Sequence, residues 1–260
     1  MLKKTIAPFK WLTRASKTAF TLLMVVLVLN FAVAASNWQE LSPGIEYQDI
    51  GSGYLTPWSH IHAFRIHLND NRLSLVMARD LSQQYASVDE FAAFSQAPLA
   101  INGGFFDDNY NSLGLRIKDK KQLNPLKQIS WWGVFYIKNN HAYLASARQF
   151  YASNQIDFAV QSGPRLLVNG KIPPLKAGRA ERTALGITQD GHVIILVTDH
   201  AAMSTTELAQ LMKAPPLNCL NALNLDGGNS TQLYAKLKNF HLNVHGFSNV
   251  SDAIIVKTQK

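Results

Sequence analysis

The chain has 260 residues, 47% of them apolar, with 25 basic and 17 acidic side chains, a formal charge of +8 and one cysteine, Cys219. A lone thiol excludes an intramolecular disulfide, and this apolar content excludes a disordered chain. Lys3, Lys4, Lys10, Arg14 and Lys17 all precede the first acid, so residues 36–260 carry 20 basic against 17 acidic groups, a net of +3. No basic run interleaved with aromatics occurs there, which argues against a nucleic-acid partner.

Residues 1–35 read as a secretory signal. A positive stretch without acids leads into an apolar run, 20–35, broken only by Thr21 and Asn30, and Ala32-Val33-Ala34 has the small-x-small form of a cleavage site. The run is short for a bilayer span of about 20 residues. An uncleaved anchor in the inner membrane is the alternative, because the positive stretch is long. Either way the chain is expected to be exported to the periplasm or cell envelope, touching membrane only through this segment. Residues 36–260 hold no linker, charge block or repeat and are expected to form a single domain.

Strand signals dominate that domain. Alternation predicts a strand over 60–68 and a hairpin partner over 73–78 after the turn Asn69-Asp70-Asn71. A short helix is predicted over 88–96, with Ser87 and Glu90 as a capping box. Strands follow over 113–117, 132–137 and 142–145, then 158–161 and 165–168 around Ser162-Gly163-Pro164. Asp190-Gly191 predicts a two-residue turn between strands over 182–188 and 192–198. A second helix is predicted over 204–212, capped by Ser204 and Glu207 and stopped by Pro215-Pro216. Short strands over 222–225 and 253–256 complete the pattern, an α+β fold with a mostly antiparallel or mixed sheet and few short helices.

Four segments carry chemistry. Ala222 to Leu225 is an apolar run ending in Asp226-Gly227-Gly228-Asn229-Ser230-Thr231, and Leu99 to Ile101 leads likewise into Asn102-Gly103-Gly104-Phe105-Phe106-Asp107. Glycine pairs let backbone approach a ligand, and successive N–H groups can hold an anion. Gln161-Ser162-Gly163-Pro164-Arg165 and Glu181-Arg182-Thr183-Ala184-Leu185-Gly186 add arginines among small residues. In chain order the four segments, within the stretch 60–257, resemble the phosphodiester glycosidase family. One departure is visible: the family continues Asp-Gly-Gly with a third glycine, where this chain has Asn229, a residue that tolerates positive φ.

The resemblance implies hydrolysis of a sugar-1-phosphodiester, with an N-acetylglucosamine-like sugar, in a glycan or glycolipid of the envelope. Such cleavage needs cations for the phosphate and a carboxylate for the developing oxocarbenium or for water. Arg165 and Arg182 suit the phosphate. Asp226 is the first candidate carboxylate and Asp107 the second. Asn102 is expected to meet a sugar hydroxyl or acetamido group, with Gly103, Gly104, Gly227 and Gly228 presenting N–H donors and Thr183 and Ser230 adding hydroxyls. A two-residue turn would set Arg182 opposite Asp199, with small residues on the Arg182 face leaving room for a ligand. Glu181 would then point away. Trp131-Trp132 could stack on a sugar or pack in the core. Cys219 reads as a buried structural thiol.

No cofactor is predicted. His60 and His62 alternate on a strand, but no His-Glu-x-x-His or cysteine pair points to a transition metal; a Ca²⁺ or Mg²⁺ site of oxygen ligands stays open. The alternative function is a non-catalytic envelope domain that binds anionic glycans.

Overall fold

Alternation of apolar and polar residues decides most of this fold. The computed structural model describes residues 38–51 and 56–259; the signal or anchor expected over 1–35 lies outside them. Among the described residues no helix is long and apolar enough to cross a membrane.

Seven strands make the largest sheet, in the spatial order Gln39–Ser42, Ile45–Asp49, His60–Ile66, Val193–Asp199, Thr183–Thr188, Cys219–Asn224 and Arg165–Leu167. A second sheet runs Phe240–Val244, Leu233–Leu237, Leu99–Asn102, Asp252–Thr258 and Asn71–Met77. A third runs Lys121–Asn124, Arg116–Lys118, Ile156–Ser162, Gly133–Lys138 and His141–Ser146. Every ladder in them is antiparallel. Each sheet turns one face to a common core: Phe64, Leu185, Ile195 and Leu223 from the first, Leu75, Ile101 and Ile254 from the second, Phe135 and Val160 from the third. Each such side chain contributes about 1.5–3 kcal/mol by leaving water.

Two α-helices cover outer faces. Val88–Ser95 lays Phe91 and Ala92 on the second sheet, and Glu90 Oε2 accepts both the N–H and the hydroxyl of Ser87 at 2.8 Å. Thr205–Lys213 lays Leu208 and Met212 on the seven-stranded sheet, with Glu207 accepting the Ser204 N–H at 2.7 Å. Both capping boxes sit where the sequence predicts them. Cys219 is buried in that second interface, and burial pushes its thiol up to about 12.

Three expectations change. The domain is richer in strand than an α+β fold usually is, with two short α-helices among the described residues. The turn after Ile66 does not make a hairpin: His60–Ile66 pairs in the first sheet and Asn71–Met77 in the second, so this turn, exposed at Asn69 and Asp70, passes from one sheet to the other. Finally, the Asp190-Gly191 loop closes on Thr188 and His192, whose N–H and C=O meet at 3.0 Å. The loop therefore holds three residues, with Gly191 at φ +87°, and the register slips by one. Thr183 pairs with Val197, so Thr198 rather than Asp199 lies opposite Arg182. Both faces of this hairpin are buried. A Cβ at Gly186 would come 2.5 Å from Cys219 Sγ and 2.6 Å from Met212 Cε, so the face behind Arg182 is packed rather than open.

Candidate active site

Strand ends from all three sheets meet at the motif segments. Asn102 is fully buried at the end of Leu99–Asn102. Its Nδ2 donates to the Asp226 carbonyl at 2.9 Å, and its Oδ1 accepts from Thr183 Oγ at 2.7 Å and from the Gln232 N–H at 3.1 Å. One amide thus ties three of the segments together. With all of that capacity spent and no exposure, Asn102 is a brace rather than a contact for sugar. Thr183, also fully buried, belongs to the same brace.

The glycine pair after Asn102 has a steric cause. Gly103 donates its N–H to the Asp252 carbonyl at 3.0 Å and accepts from the Asp226 N–H at 3.3 Å. A Cβ on Gly103 would lie 1.8 Å from Asp252 Oδ1, and one on Gly104 would lie 2.8 Å from Arg116 Nη2. Beneath the pair, Arg116 and Asp252 form a fully buried ion pair, with Nε 3.1 Å from each carboxylate oxygen. Ser112 and Ser251 hydroxyls donate to Asp252 Oδ2, and Arg116 donates to the carbonyls of Phe105, Leu113, Leu115 and Gln161. Sequence reasoning missed this pair. The available signal was a charge within one predicted apolar strand, 113–117, and another just before a second, 253–256; such charges are buried only when paired.

Asp226 follows the buried Leu223-Asn224-Leu225 run. Its Oδ1 accepts the Gly227 N–H at 3.0 Å. Burial is the largest influence on its carboxyl and raises its pKa, and the nearby Asp252 charge acts in the same sense. The Ser230 side chain, the Gly227 N–H and the Arg116 charge oppose this without cancelling it. Ser230 is itself buried and acts on Asp226. Gly227 packs so close to the Glu181 carbonyl that a Cβ would lie at 2.7 Å, and Gly228, at φ +61°, donates its N–H to that carbonyl at 2.8 Å. The N–H groups of Gly103, Gly227 and Gly228 are therefore spent within the protein, not presented to a ligand. Asn229 has no positive φ, so the missing third glycine leaves this turn intact for a simpler reason than its tolerance of that region.

Both arginines of the motifs are partly buried without a carboxylate partner among the described residues. Arg182 donates from Nε to the Met203 carbonyl at 2.9 Å and from Nη2 to the Gly178 carbonyl at 2.7 Å; burial lowers its pKa. Its Cα lies 3.8 Å from the Cβ position of Gly227, beside the Asp226 turn. Arg165 pairs with Leu223 in the sheet, its stem packs on Gly133, and its Nε is buried without a partner. Trp131, 49% exposed, and the buried Trp132 both crowd Gly163 just before it. Trp132 thus takes the core role and Trp131 keeps an open face.

Two candidates are engaged with other partners. The Asp107 carboxylate accepts from the Asn109 N–H at 3.0 Å and from the Asn111 N–H and Nδ2 at 2.9 and 3.1 Å. These bonds, led by Asn111, hold its pKa down and make it the cap of its own loop. Asp199 lies opposite His60, not Arg182. Glu181, expected to point away, continues the face of Thr183, the side chain that touches Asn102.

Known proteins resemble this chain in sequence and in fold. The phosphodiester glycosidase family matches residues 95–257. An uncharacterized Escherichia coli K12 protein, YigE, is 32% identical over 155 residues, covering 55% of this chain and 60% of that protein. The catalytic domain of zebrafish N-acetylglucosamine-1-phosphodiester α-N-acetylglucosaminidase, auto-inhibited by its pro-peptide, superposes with a TM-score of 0.64 at 20% identity, over 86% of this chain and 85% of that one. A hypothetical protein from Synechocystis gives 0.61 at 17% identity, over 87% and 64%. At these identities the structural likenesses speak to the fold alone. The family match covers more than half of the residues, including all four segments, and the chain belongs to the phosphodiester glycosidase family.

Proposed function

We propose that this chain is an exported hydrolase that cleaves the glycosidic bond of a sugar-1-phosphodiester, with an N-acetylglucosamine-like sugar, in envelope polysaccharide or glycolipid metabolism. The observation that carries the proposal is Asp226: a carboxyl kept poorly compensated by burial, beside a backbone shared with an arginine that has no counter-charge. Arg182 and Arg165 bind the phosphate oxygens, where guanidinium N–H groups match two oxygens at once. Asp226 takes a proton from water as the water oxygen bonds to the anomeric carbon. The bond from that carbon to the phosphate oxygen breaks, and its electron pair leaves on the phosphate monoester. Phosphate leaves readily without a strong general acid, so one raised carboxyl suffices for proton transfer. Ser230 and the Gly227 N–H orient it, and Trp131 offers its open face to the sugar.

The test is a screen of the purified chain against sugar-1-phosphodiesters, reading release of reducing sugar. Turnover supports the hydrolase. Binding of anionic glycans with no turnover of any member of the panel supports the non-catalytic alternative instead. The N-terminal pattern supports export, and N-terminal sequencing of envelope-derived protein is expected to begin at Ala35; an intact Met1 on membrane-bound protein supports the anchor.

A further inference from the structure

A second cluster lies at the open end of the same hairpin. Glu181, Asp199 and His200 each offer one ligand atom, and these atoms lie within 4.8 Å of one another. Asp199 Oδ1 is 3.7 Å from His200 Nε2. The His200 N–H donates to Glu181 Oε1 at 3.1 Å, and its carbonyl accepts from Ser59 Oγ at 2.8 Å. Register explains the gathering. Thr183 pairs with Val197, so the next row outward sets Glu181 against Asp199. Asp199 pairs with His60, and Val197 with His62, which in turn pairs with Asp49. Side chains two apart on a strand share a face, so Glu181, Asp199, His60, His62 and Asp49 line one side of the sheet.

This face has more negative charge than its neighbours neutralise. Burial first, and the Asp199 charge second, raise the pKa of Glu181. Among the described residues no lysine or arginine pairs with either acid; the adjacent Arg182 guanidinium is turned to the Met203 and Gly178 carbonyls. Asp49, by contrast, has His60 Nδ1 at 2.6 Å.

An independent observation points to a missing ligand. His62 is 3% exposed, and its Nδ1 meets the Tyr47 hydroxyl at 3.0 Å. Its Nε2 is buried with no hydrogen-bond partner, a costly state for a ring nitrogen. The ring stacks on His60 with centroids 5.5 Å apart and lies within reach of the Asp199 charge.

We propose that Glu181, Asp199 and His200 bind one divalent transition cation, Zn²⁺ or Mn²⁺. Two carboxylates with one imidazole favour these over Ca²⁺ or Mg²⁺, which take oxygen ligands. The ion offsets the two adjacent negative charges. Three protein ligands leave coordination positions for water, and a bound water supplies the partner that His62 Nε2 lacks. The proposal does not rest on the phosphodiester reading, because its readout is metal uptake.

Calorimetric titration of the chelator-stripped chain with ZnCl₂ and with MnCl₂ tests it. One equivalent of at least one ion is expected to bind. Asp199→Asn and His200→Gly should each weaken that binding about tenfold or more; glycine accepts the φ of +49° found at His200 and removes the imidazole. His200 is 64% and Asp199 27% exposed at the side chain, so both variants are expected to keep the wild-type circular dichroism, and metal-free Asp199→Asn should melt no lower than wild type because it loses a charge that repels Glu181. No uptake of either ion at millimolar concentration overturns the proposal, and so does unchanged affinity in either folded variant.

Discussion

Asp252 and Asp226 both press on Gly103, one accepting its N–H and the other donating to its carbonyl, yet the protein treats them oppositely. Asp252 has a fully buried arginine and two serine hydroxyls on its carboxylate. Asp226 has the adjacent Gly227 N–H and the Ser230 side chain, with Asp252 as a repelling neighbour. The first is a satisfied charge that holds the floor of the site. The second is an under-satisfied charge whose proton affinity burial has raised. A structural charge is recognised by how completely it is paired, and a reactive one by what it has been denied.

The largest effect should come from breaking the satisfied pair. Arg116→Met or Asp252→Asn leaves a buried charge without its partner and should cost about 3–5 kcal/mol of stability, read as a lower urea midpoint. A loss below about 1 kcal/mol would mean that water reaches the pair, and the contrast with Asp226 would fail.

Asp226→Asn should move stability the other way while turnover collapses. A raised folded-state pKa means that the folded chain binds this proton more tightly than the unfolded chain does. Stability contributed by the carboxyl therefore falls as pH rises through the window from the ordinary carboxylate range to the raised value. The amide removes that penalty. The variant should be more stable than wild type at about pH 7, and the gain should shrink by about pH 4, as urea unfolding at the two pH values will show. Turnover should fall by at least about 10²-fold while substrate still binds. Near-normal turnover would falsify the catalytic role; lower stability at neutral pH would show that the carboxylate is needed by the fold.

The meeting of the four segments was legible in the sequence, because two are apolar runs ending in a glycine pair beside a carboxylate, two set an arginine among small residues, and together they resemble one family. Their division of labour was not. Asn102 reads as a sugar contact until its amide is seen fully spent on Asp226, Thr183 and Gln232. The hairpin was legible as a hairpin, but Asp-Gly fits a two-residue turn or a three-residue loop ending in a left-handed glycine. That single residue of difference moved Asp199 from Arg182 to the Glu181 row. Both capping boxes were local and were read correctly. The Arg116–Asp252 pair joins residues far apart in the chain, and nothing local announces which charges will meet.

Arg182→Lys sharpens the same comparison for cations. Lysine keeps the charge but cannot hold the Met203 and Gly178 carbonyls while pointing two parallel N–H groups at a phosphate. Loss of about one charge-assisted hydrogen bond should weaken binding and turnover about tenfold each. Steady-state kinetics and direct binding on the folded variant will show whether both fall. An unchanged Lys variant would make Arg182 a structural residue like Arg116.

The smallest effect is expected at Asn229, where this chain departs from the family's third glycine. Gly228 needs its freedom: at φ +61° a side chain costs about 1–2 kcal/mol. Asn229 lies next to it in the short turn Gly228–Ser230, is exposed, and lacks a positive φ. Its carbonyl accepts the Ser248 N–H at 3.0 Å, a backbone contact that survives any side-chain change. Asn229→Gly should therefore gain nothing from added freedom and lose about 0.5–1 kcal/mol through the more flexible unfolded chain. Asp226 keeps Ser230 and the Gly227 N–H, so turnover should stay close to wild type. A stabilised or markedly faster Asn229→Gly variant would show that the asparagine side chain strains the turn, and that the Asp226 carboxylate is not yet in its best position in this chain.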